Sequence, residues 1–295
     1  YEMENATRSV IGIAVAVLVG ALVVLAGSSG SAKVGSVAVF AICGLLAYAI
    51  NWLVYIPSNI AKTEHYFDLT GSITYVTVVI VALLLSDDLD ARAVIVGAMV
   101  IVWALRLGSF LFLRIRKDGG DSRFTSIKPQ FFRFLMFWTI QGLWVVMTAA
   151  AALAAMTSGA VEPLGPTAAV GVALWLAGFA FEVIADHQKR VFRRDPANRG
   201  KFIRSGLWAW SRHPNYAGEI VLWCGIALIA LPALSGWQYA AMISPVFVYI
   251  LLTRVSGIPP LEGQARHRWG DDPAYIAYRD STPILWPRPP RHTPA

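Results

Sequence analysis

The chain has 295 residues, of which 56% are hydrophobic and only 15% are charged, against about 25% charged residues in ordinary soluble domains. This composition argues against a soluble globular enzyme, a disulfide-stabilised secreted scaffold and a disordered chain. The formal net charge is +7, so the positions of the basic residues need an explanation. Cys43 and Cys224 lie in apolar runs without paired spacing, and they predict neither a disulfide nor a metal site.

Eight apolar runs along the chain approach the length of about 20 residues that a helix needs to cross a bilayer. The predicted spans are Val10–Gly27, Val34–Ile56, Gly71–Leu85, Ala93–Leu113, Phe131–Ala155, Ala168–Ile184, Glu219–Leu234 and Gln238–Thr253. The third span is short, and its helix is expected to reach back into the polar stretch 64–68. The first span is expected to be a retained helix and not a signal peptide, because many spans follow it. The predicted fold class is therefore all-α, a polytopic integral membrane helical bundle.

The basic residues are concentrated in three segments, which contain 19 of the 25 Lys and Arg residues. These segments are residues 114–130, 187–212 and 254–295, and eight spans place all three on the same side. Loops with many basic residues stay in the cytoplasm. The sequence therefore predicts cytoplasmic N- and C-termini and, for a bacterial protein, insertion in the inner membrane.

Three parts are predicted along the chain. Residues 1–33 form an extra N-terminal transmembrane helix, residues 34–287 form the main transmembrane domain, and residues 288–295 form a Pro/Arg-rich tail. The nucleotide-binding and hydrolase motifs of soluble enzymes are absent from the sequence, and the five histidines lack ligand spacing. Any chemistry must therefore be built from the helices and their loops, without a metal and without a nucleic-acid partner.

The end of the sixth span carries acidic and basic residues at helical spacing. Glu182, Asp186 and Arg190 are four residues apart and share one helix face, and Arg193 follows. An exposed ladder of salt bridges would give the same spacing. Glu182, however, lies deep in an apolar segment, where an ionisable group is costly and usually functional.

The stretch 206–219 leads from aromatic residues into the seventh span. Trp208 and Trp210 fit an aromatic belt at the membrane interface, and Pro214 fits the first turn of a helix. A belt does not explain why Asn215 and Glu219 enter the membrane on one helix face. An amide beside a carboxylate is suited to hydrogen bonding with a carboxamide-bearing ring or a ribose.

Two further groups of ionisable residues lie near predicted helix ends. Arg106 lies about two helical turns before Arg114, and a buried arginine needs an anionic partner from the protein or a ligand; snorkelling to the interface is the alternative. Glu64 and Asp68 are again four residues apart, with Tyr66 between them. A carboxylic acid that an apolar site keeps protonated can donate a hydrogen bond to a carbonyl oxygen, whereas a polar loop outside the membrane is the simpler interpretation.

At these residues the chain resembles the steroid 5α-reductase superfamily, in particular its bacterial membrane reductases. The similarity runs from about residue 45 to the end and is strongest in FEVIADHQKRVFRRDP, SGLWAWSRHPNYAGE, SGIPPLEGQA and AYIAY. It implies a seven-helix core, to which the N-terminal span is an addition. It also implies NADPH-dependent reduction of a carbon–carbon double bond conjugated to a carbonyl, in a lipophilic, steroid-like substrate taken from the bilayer.

The resemblance also implies roles for individual residues. Asn215 and Glu219 match the residues that hold the nicotinamide side of the cofactor, and Tyr275 or Tyr278 stands for a C-terminal family tyrosine. The predicted cofactor-binding residues are Arg106, Arg114, Asp186, Arg190, Arg193, Lys201, His213, Asn215, Glu219, Tyr275 and Tyr278. The predicted catalytic residues are Asp68, Glu64 and Tyr66.

One departure from the family pattern concerns the substrate carbonyl. The steroid enzymes pair a glutamate with a tyrosine there, and Asp68 fits the glutamate position. Trp103 occupies the tyrosine position and cannot act as an acid, so Tyr66 or Tyr75 substitutes, or Asp68 acts alone. This departure weakens the case for a steroid substrate more than the case for a reductase.

Two alternatives stay open. The stretch GLWAWSRHPNYAG also resembles membrane methyltransferases that use S-adenosylmethionine and carry a downstream glutamate, for which Glu262 is the candidate. A lipid- or sterol-binding membrane protein without turnover is the non-enzymatic alternative. The surplus of arginines favours the reductase, because a phosphorylated dinucleotide needs several cations and a nucleoside sulfonium needs few.

Overall fold

A computed structural model describes residues 2–87, 89–121 and 124–290. Within these ranges, eight helices are long and apolar enough to cross a membrane. They are Glu4–Gly30, Val39–Ile60, Phe67–Leu85, Ala91–Lys117, Phe131–Thr157, Pro166–Arg194, Pro214–Ala233 and Gly236–Trp269. The predicted polytopic helical bundle of eight spans is confirmed. Which side of the membrane each terminus faces stays a prediction, and residues 291–295 of the predicted tail lie outside the described residues.

The regular elements follow the predicted spans closely. The helices are α1 (Glu2–Gly27), α2 (Val39–Ile60), α3 (Phe67–Leu85), α4 (Ala91–Asp118), α5 (Phe131–Thr157), α6 (Pro166–Arg194), α7 (Pro214–Ala230), α8 (Ile243–Ile250), α9 (Ile258–Trp269) and α10 (Pro273–Ser281). Two short strands, β1 (Lys33–Val34) and β2 (Val37–Ala38), form an antiparallel hairpin between α1 and α2. Helix α3 starts at Phe67, so it does reach back into the polar stretch as expected.

The chain divides into two compact units. The first unit contains Tyr1–Ala169 and Ile226–Ser244, and the second contains Val170–Gly225 and Pro245–Ala295. The predicted division into residues 1–33, 34–287 and 288–295 is based on sequence and not on contacts between residues, so it remains a prediction.

Helix α5 is the central element of the first unit, where it packs against α1, α2, α3 and α4. Its second half, from Val145 to Thr157, is buried throughout, and the many alanines there let neighbouring helices approach closely. Its first half contributes Phe134 and Trp138 to an aromatic cluster with Phe67. Burial on all sides explains why α5 shows no polar face in the sequence.

In the second unit, α6 and α7 pack with their backbones in close approach. A Cβ atom added at Gly178 would lie 2.5 Å from the carbonyl oxygen of Gly218, and one added at Gly218 would lie 2.5 Å from the oxygen of Gly178. Real Cβ atoms do not approach so closely, so only glycine fits at these two positions. This contact fixes the ends of α6 and α7, which carry the polar residues of the site.

The elements after α8 are shorter and more polar than the membrane spans. A single π-helical turn, Leu251–Val255, follows α8, and such turns are frequent at functional sites. Helix α9 then begins at Ile258 with prolines in its first turn. Helix α10 begins at Pro273 and is capped by Asp272, whose carboxylate accepts a hydrogen bond from Ala274 N at 2.8 Å. Hydrogen bonds of Glu262 with Arg212 and of Tyr278 with the Trp208 carbonyl join α9 and α10 to the loop that precedes α7, within the second unit.

Candidate functional site

The acidic residues at the end of α6 are buried. Glu182 is 2% exposed and Asp186 is 7% exposed, which excludes the exposed salt-bridge ladder. Asp186 accepts a hydrogen bond from the side-chain amide of Asn215 at 3.1 Å. Arg190 is exposed and contacts Nδ1 of His187 at 3.0 Å. The end of α6 and the start of α7 are therefore joined by the hydrogen bond between Asp186 and Asn215.

The loop between α6 and α7 is anchored on the last turns of α6. The indole Nε1 of Trp208 donates to the Ala185 carbonyl at 3.0 Å, and the side-chain oxygen of Gln188 accepts from Leu207 N at 2.9 Å. The ammonium of Lys189 lies 4.4 Å above the Trp208 ring, a favourable cation–π distance. Trp208 is thus a structural anchor as well as an aromatic residue near a predicted interface.

Three charged or polar side chains meet where this loop enters α7. Glu262 of α9 accepts hydrogen bonds from the Arg212 guanidinium at 2.5 Å and from His213 Nε2 at 2.8 Å. Burial lowers the pKa of His213 below its ordinary value, and the nearby positive charges of Lys189 and Arg212 lower it further. The hydrogen bond with Glu262 raises the pKa, but it does not outweigh these effects. The imidazole is therefore neutral near pH 7, with Nε2–H donating to the carboxylate.

A cavity of about 240 Å³ opens beside this cluster, entirely within the second unit. Five basic residues and one acidic residue line it, so its electrostatic potential is positive. The lining residues are Lys189, Phe192, Arg193, Lys201, Phe202, Ile203, Trp208, Arg212, His213, Leu261, Glu262, Gln264, Ala265, Arg268, Trp269, Tyr275 and Tyr278.

Aromatic rings form one wall of the cavity. The Phe202 ring packs against Trp269, Tyr275 and Tyr278, with ring centroids 5.2–5.8 Å apart. Trp269 Nε1 donates to the Gly200 carbonyl at 2.6 Å, and the Tyr278 hydroxyl donates to the Trp208 carbonyl at 2.7 Å. Burial raises the pKa of Tyr278, which keeps the phenol neutral as this donor. These bonds fix a rigid surface on which a planar ring can stack.

The predicted catalytic residues lie in the first unit. The Glu64 carboxylate is buried and accepts hydrogen bonds from Lys128 Nζ at 2.7 Å and from Asp121 N at 2.9 Å. Burial alone would raise the pKa of Glu64, but these hydrogen bonds and the Lys128 charge together lower it. Glu64 therefore ties the loop after α2 to the loop after α4. Tyr66 is 52% exposed.

Asp68 and the two predicted arginines of α4 also belong to the first unit. The Asp68 carboxylate lies 3.7 Å from the Arg114 guanidinium, as a partly buried ion pair. Arg106 is half-buried and lies over the Phe110 ring at 5.5 Å. Trp103, in the position where the family has a tyrosine, is buried and packs edge-on against Tyr75 with ring centroids 5.1 Å apart. Arg114 thus has a protein carboxylate as its neighbour.

Part of the predicted cofactor set lines the cavity. Those residues are Arg193, Lys201, His213, Tyr275 and Tyr278. Asp186, Arg190, Asn215 and Glu219 lie in the same unit but are not among its lining residues, and Arg106 and Arg114 lie in the first unit. The roles of these residues in cofactor binding stay predictions.

Several lining residues were not predicted as site residues. Arg212 stands beside His213 in the motif, Glu262 was considered only for the methyltransferase alternative, and Arg268 and Trp269 were not singled out. The basic and aromatic residues in RHRW, residues 266–269, were the available signal, but that pattern is also common at membrane interfaces. Among the described residues, no three His, Cys, Asp or Glu side chains cluster in a way that could hold a metal ion.

Sequence comparison places this architecture in a family. Residues 54–282 match the family described as "Protein of unknown function (DUF1295)". The chain belongs to the DUF1295 family. No solved structure matches this DUF1295 chain significantly.

Curated relatives of the DUF1295 chain include 3-oxo-5-alpha-steroid 4-dehydrogenases and a probable O-methyltransferase. The chain is 34% identical over 105 residues to 3-oxo-5-alpha-steroid 4-dehydrogenase 1 of Bos taurus, and the aligned segment covers 35% of each chain. It is 31% identical over 123 residues to the Rattus norvegicus protein of that name, 41% of this chain and 42% of the relative. The resemblance to the steroid 5α-reductase superfamily is confirmed.

One relative is named as a methyltransferase. The chain is 29% identical over 154 residues to the probable O-methyltransferase ustE of Ustilaginoidea virens, 52% of this chain and 50% of the relative. The DUF1295 chain therefore spans half or less of the length of these curated relatives.

Proposed function

We propose that this DUF1295 chain is a membrane reductase that uses NADPH to saturate a carbon–carbon double bond conjugated to a carbonyl in a lipophilic substrate. The observation that carries the proposal is the cavity of the second unit, which joins a surplus of cations to an aromatic wall. The similarity to two mammalian 3-oxo-5-alpha-steroid 4-dehydrogenases adds support. We further propose a bacterial inner-membrane location with the cavity open to the cytoplasm, where NADPH is available.

The cations of the cavity suit a phosphorylated ligand. Lys201 and Arg268 line the cavity, and within the described ranges neither has a carboxylate partner. Arginine binds phosphate oxygens with two parallel hydrogen bonds, and lysine binds them as a point charge. At about 240 Å³ the cavity is smaller than the roughly 300–1,000 Å³ of typical ligand sites. It would therefore take the phosphate-bearing half of a dinucleotide, with the base against the aromatic wall.

The start of α7 suits the nicotinamide half. The side-chain oxygen of Asn215 is buried and lacks a hydrogen-bond partner among the described residues, while its amide nitrogen is held by Asp186. A buried acceptor of this kind favours a ligand that carries an N–H donor, and a carboxamide has one. Glu219 follows one helical turn later on the same face. We propose that these residues orient the nicotinamide.

We propose that Asp68 polarises the substrate carbonyl, as the resemblance implies. NADPH, when bound, supplies the hydride that adds to the β-carbon. Asp68 can donate a hydrogen bond to the carbonyl oxygen when protonated, and Arg114 brings N–H donors to the same place. Either group stabilises the negative charge that develops on that oxygen. Both carboxylate oxygens of Glu64 accept hydrogen bonds within the protein, whereas Asp68 occupies the family's glutamate position.

A methyltransferase is the second candidate function, and one contact favours it. Arg212 and His213 of the RHPNY stretch contact Glu262, the candidate for the downstream glutamate of the methyltransferases. The fungal relative named as a probable O-methyltransferase covers more of this chain than the two steroid dehydrogenases do. Against this candidate, five cations around the cavity would oppose a positively charged sulfonium cofactor.

Ligand-induced stabilisation separates these candidates. Full-length protein in detergent is heated with NADPH, NADH or S-adenosylmethionine, each in large excess. A ligand at 100 times its Kd stabilises the folded state by about 2.7 kcal/mol. We expect NADPH to raise the melting temperature more than NADH does, because the extra phosphate meets the cavity cations. A shift with S-adenosylmethionine alone would overturn the reductase, and no shift with any of them would favour a lipid-binding protein without turnover.

A further inference from the structure

The residue that precedes Arg212 and His213 has two hydrogen-bonding roles. Ser211 is fully buried. Its Oγ donates to the Leu285 carbonyl at 2.7 Å and accepts from His213 N at 3.1 Å. A serine hydroxyl has a single proton to donate. Ser211 donates it to the Leu285 carbonyl in the C-terminal segment, and the hydroxyl oxygen accepts the hydrogen bond from the His213 N–H.

The C-terminal segment Pro283–Arg288, named here the C-terminal brace, makes two more bonds to the same loop. The backbone N–H of Arg212 donates to the Pro283 carbonyl at 2.9 Å, and the N–H of Arg288 donates to the Trp210 carbonyl at 3.0 Å. Proline has no N–H to donate, so Pro283 and Pro287 prevent the regular ladder of a strand pair. The side chain of Ser211 supplies the bond in the middle of the brace.

The alternation of exposure along the brace supports a fixed position. Leu285 is buried, whereas Ile284 and Trp286 on either side of it are 44% and 49% exposed. This is the pattern of an extended segment with one face packed. The brace is therefore held against the loop by packing as well as by hydrogen bonds.

We propose that Ser211 is a positioning residue that links the C-terminal brace to His213 and so holds the Arg212–His213–Glu262 cluster at the cavity. The proposal rests on the proposed function for its role in cofactor binding. Ser211 itself does not line the cavity and acts through its neighbours. Without its hydroxyl, the His213 N–H and the Leu285 carbonyl lose a buried partner, and the loop is free to shift away from Glu262.

NADPH binding to the full-length protein tests the role of the hydroxyl. Ser211→Ala is expected to weaken NADPH binding about tenfold, and Ser211→Thr, which keeps the hydroxyl, is expected to restore most of the affinity. Ser205→Ala is the matched control, since Ser205 is exposed and its side chain makes no capping bond. Wild-type affinity in Ser211→Ala, or equal losses in the alanine and threonine variants, would overturn the proposal.

The pH profile of binding separates positioning from a general loss of stability. The charged groups that face His213 are Glu262 of α9, Lys189 of α6 and its neighbour Arg212. Protonation of His213 adds positive charge and favours an anionic ligand, so affinity rises as the pH falls through the pKa of the imidazole. A loosened His213 is more hydrated, and its pKa returns towards the ordinary value of about 6.5. The rise in affinity in Ser211→Ala is therefore expected at higher pH than in wild type.

Chemical modification of histidine tests the same link without any cofactor. His213 is buried, and His267 is exposed. Diethyl pyrocarbonate, followed by peptide mass spectrometry, is expected to modify His213 several-fold faster in Ser211→Ala than in wild type, with His267 unchanged. Should wild type fail to bind NADPH, this measurement still decides the positioning role, and unchanged protection of His213 would refute it. Ser211→Cys, with similar size and a weaker donor, replaces the alanine variant if that variant does not fold.

Discussion

The two units of the chain place charged side chains in different surroundings. In the first unit, the side chain of Arg92 is completely buried, and both its terminal nitrogens donate to backbone carbonyls, those of Ile229, Glu162 and Pro163. The Glu64 carboxylate likewise accepts hydrogen bonds from Lys128 and from the backbone N–H of Asp121. In the second unit, cations outnumber acids around a cavity. A buried charge whose donors are paired within the protein supports the fold, whereas a surplus of cations around a cavity favours an anionic ligand.

The largest effect that tests this contrast is expected at Arg92. Arg92→Met leaves the buried Ile229 carbonyl and the partly buried carbonyls of Glu162 and Pro163 without their donor, and a buried acceptor left without a partner costs about 1–3 kcal/mol. We expect a large fall in the melting temperature in detergent. Arg8→Met is the matched control, because Arg8 forms an exposed pair with Glu4 and such pairs contribute at most about 1 kcal/mol. Equal melting temperatures for the two variants would contradict the structural role assigned to Arg92.

A smaller effect is expected at Glu64. Glu64→Gln removes a charge that accepts two hydrogen bonds, and such bonds contribute about 1.5–3 kcal/mol each at most. Because the pKa of Glu64 is lowered in the folded state, its contribution is present above the unfolded pKa of about 4.3. That contribution is lost as the pH falls through the folded value.

Unfolding of wild type and Glu64→Gln should therefore be compared at pH 7 and at steps below pH 4. The difference in stability is expected to be full at pH 7 and to shrink in acid. Glu4→Gln, at an exposed position, serves as the control. A difference that stays constant over the whole pH range would contradict the assigned ionisation of Glu64.

The smallest effect on stability, with a clear effect on binding, is expected at Arg268. Arg268→Ala removes a cavity cation without a carboxylate partner among the described residues, so the fold should lose little. NADPH affinity is expected to fall about tenfold, or roughly 1.4 kcal/mol, and NADH affinity by less. Arg266→Ala is the control on the same helix, since Arg266 is exposed and lies outside the cavity. If both variants bind NADPH alike, the cavity is not the phosphate site.

The sequence predicted the spans well because a bilayer imposes a length and a composition on each helix. All eight predicted spans correspond to helices, and the third begins at Phe67 as the polar stretch before Gly71 suggested. The eighth predicted span, Gln238–Thr253, lies within the helical run from Gly236 to Trp269. A π-helical turn and a bend at residues 256–257 separate it from the polar helix α9.

The cavity was only partly predictable. His213 was found because it lies in a dense motif, and its partner Glu262 is 49 residues away on α9. Arg268 and Trp269 belong to a segment without apolar periodicity, and their place on the cavity depends on how α9 packs against the loop before α7. Local patterns identify which side chains are chemically suitable, but long-range packing decides which of them share a space.

The close approach of Gly178 and Gly218 has a consequence for the tolerance of the site to change. Since the two backbones touch without intervening side chains, no rotamer change can compensate for a change in the spacing of α6 and α7. The register of Asp186 with Asn215 is therefore set by main-chain geometry. Substitutions elsewhere on α6 and α7 can alter the outward surfaces of these helices and so change which lipids or lipophilic molecules the surfaces contact. The hydrogen bond between Asp186 and Asn215 keeps its length.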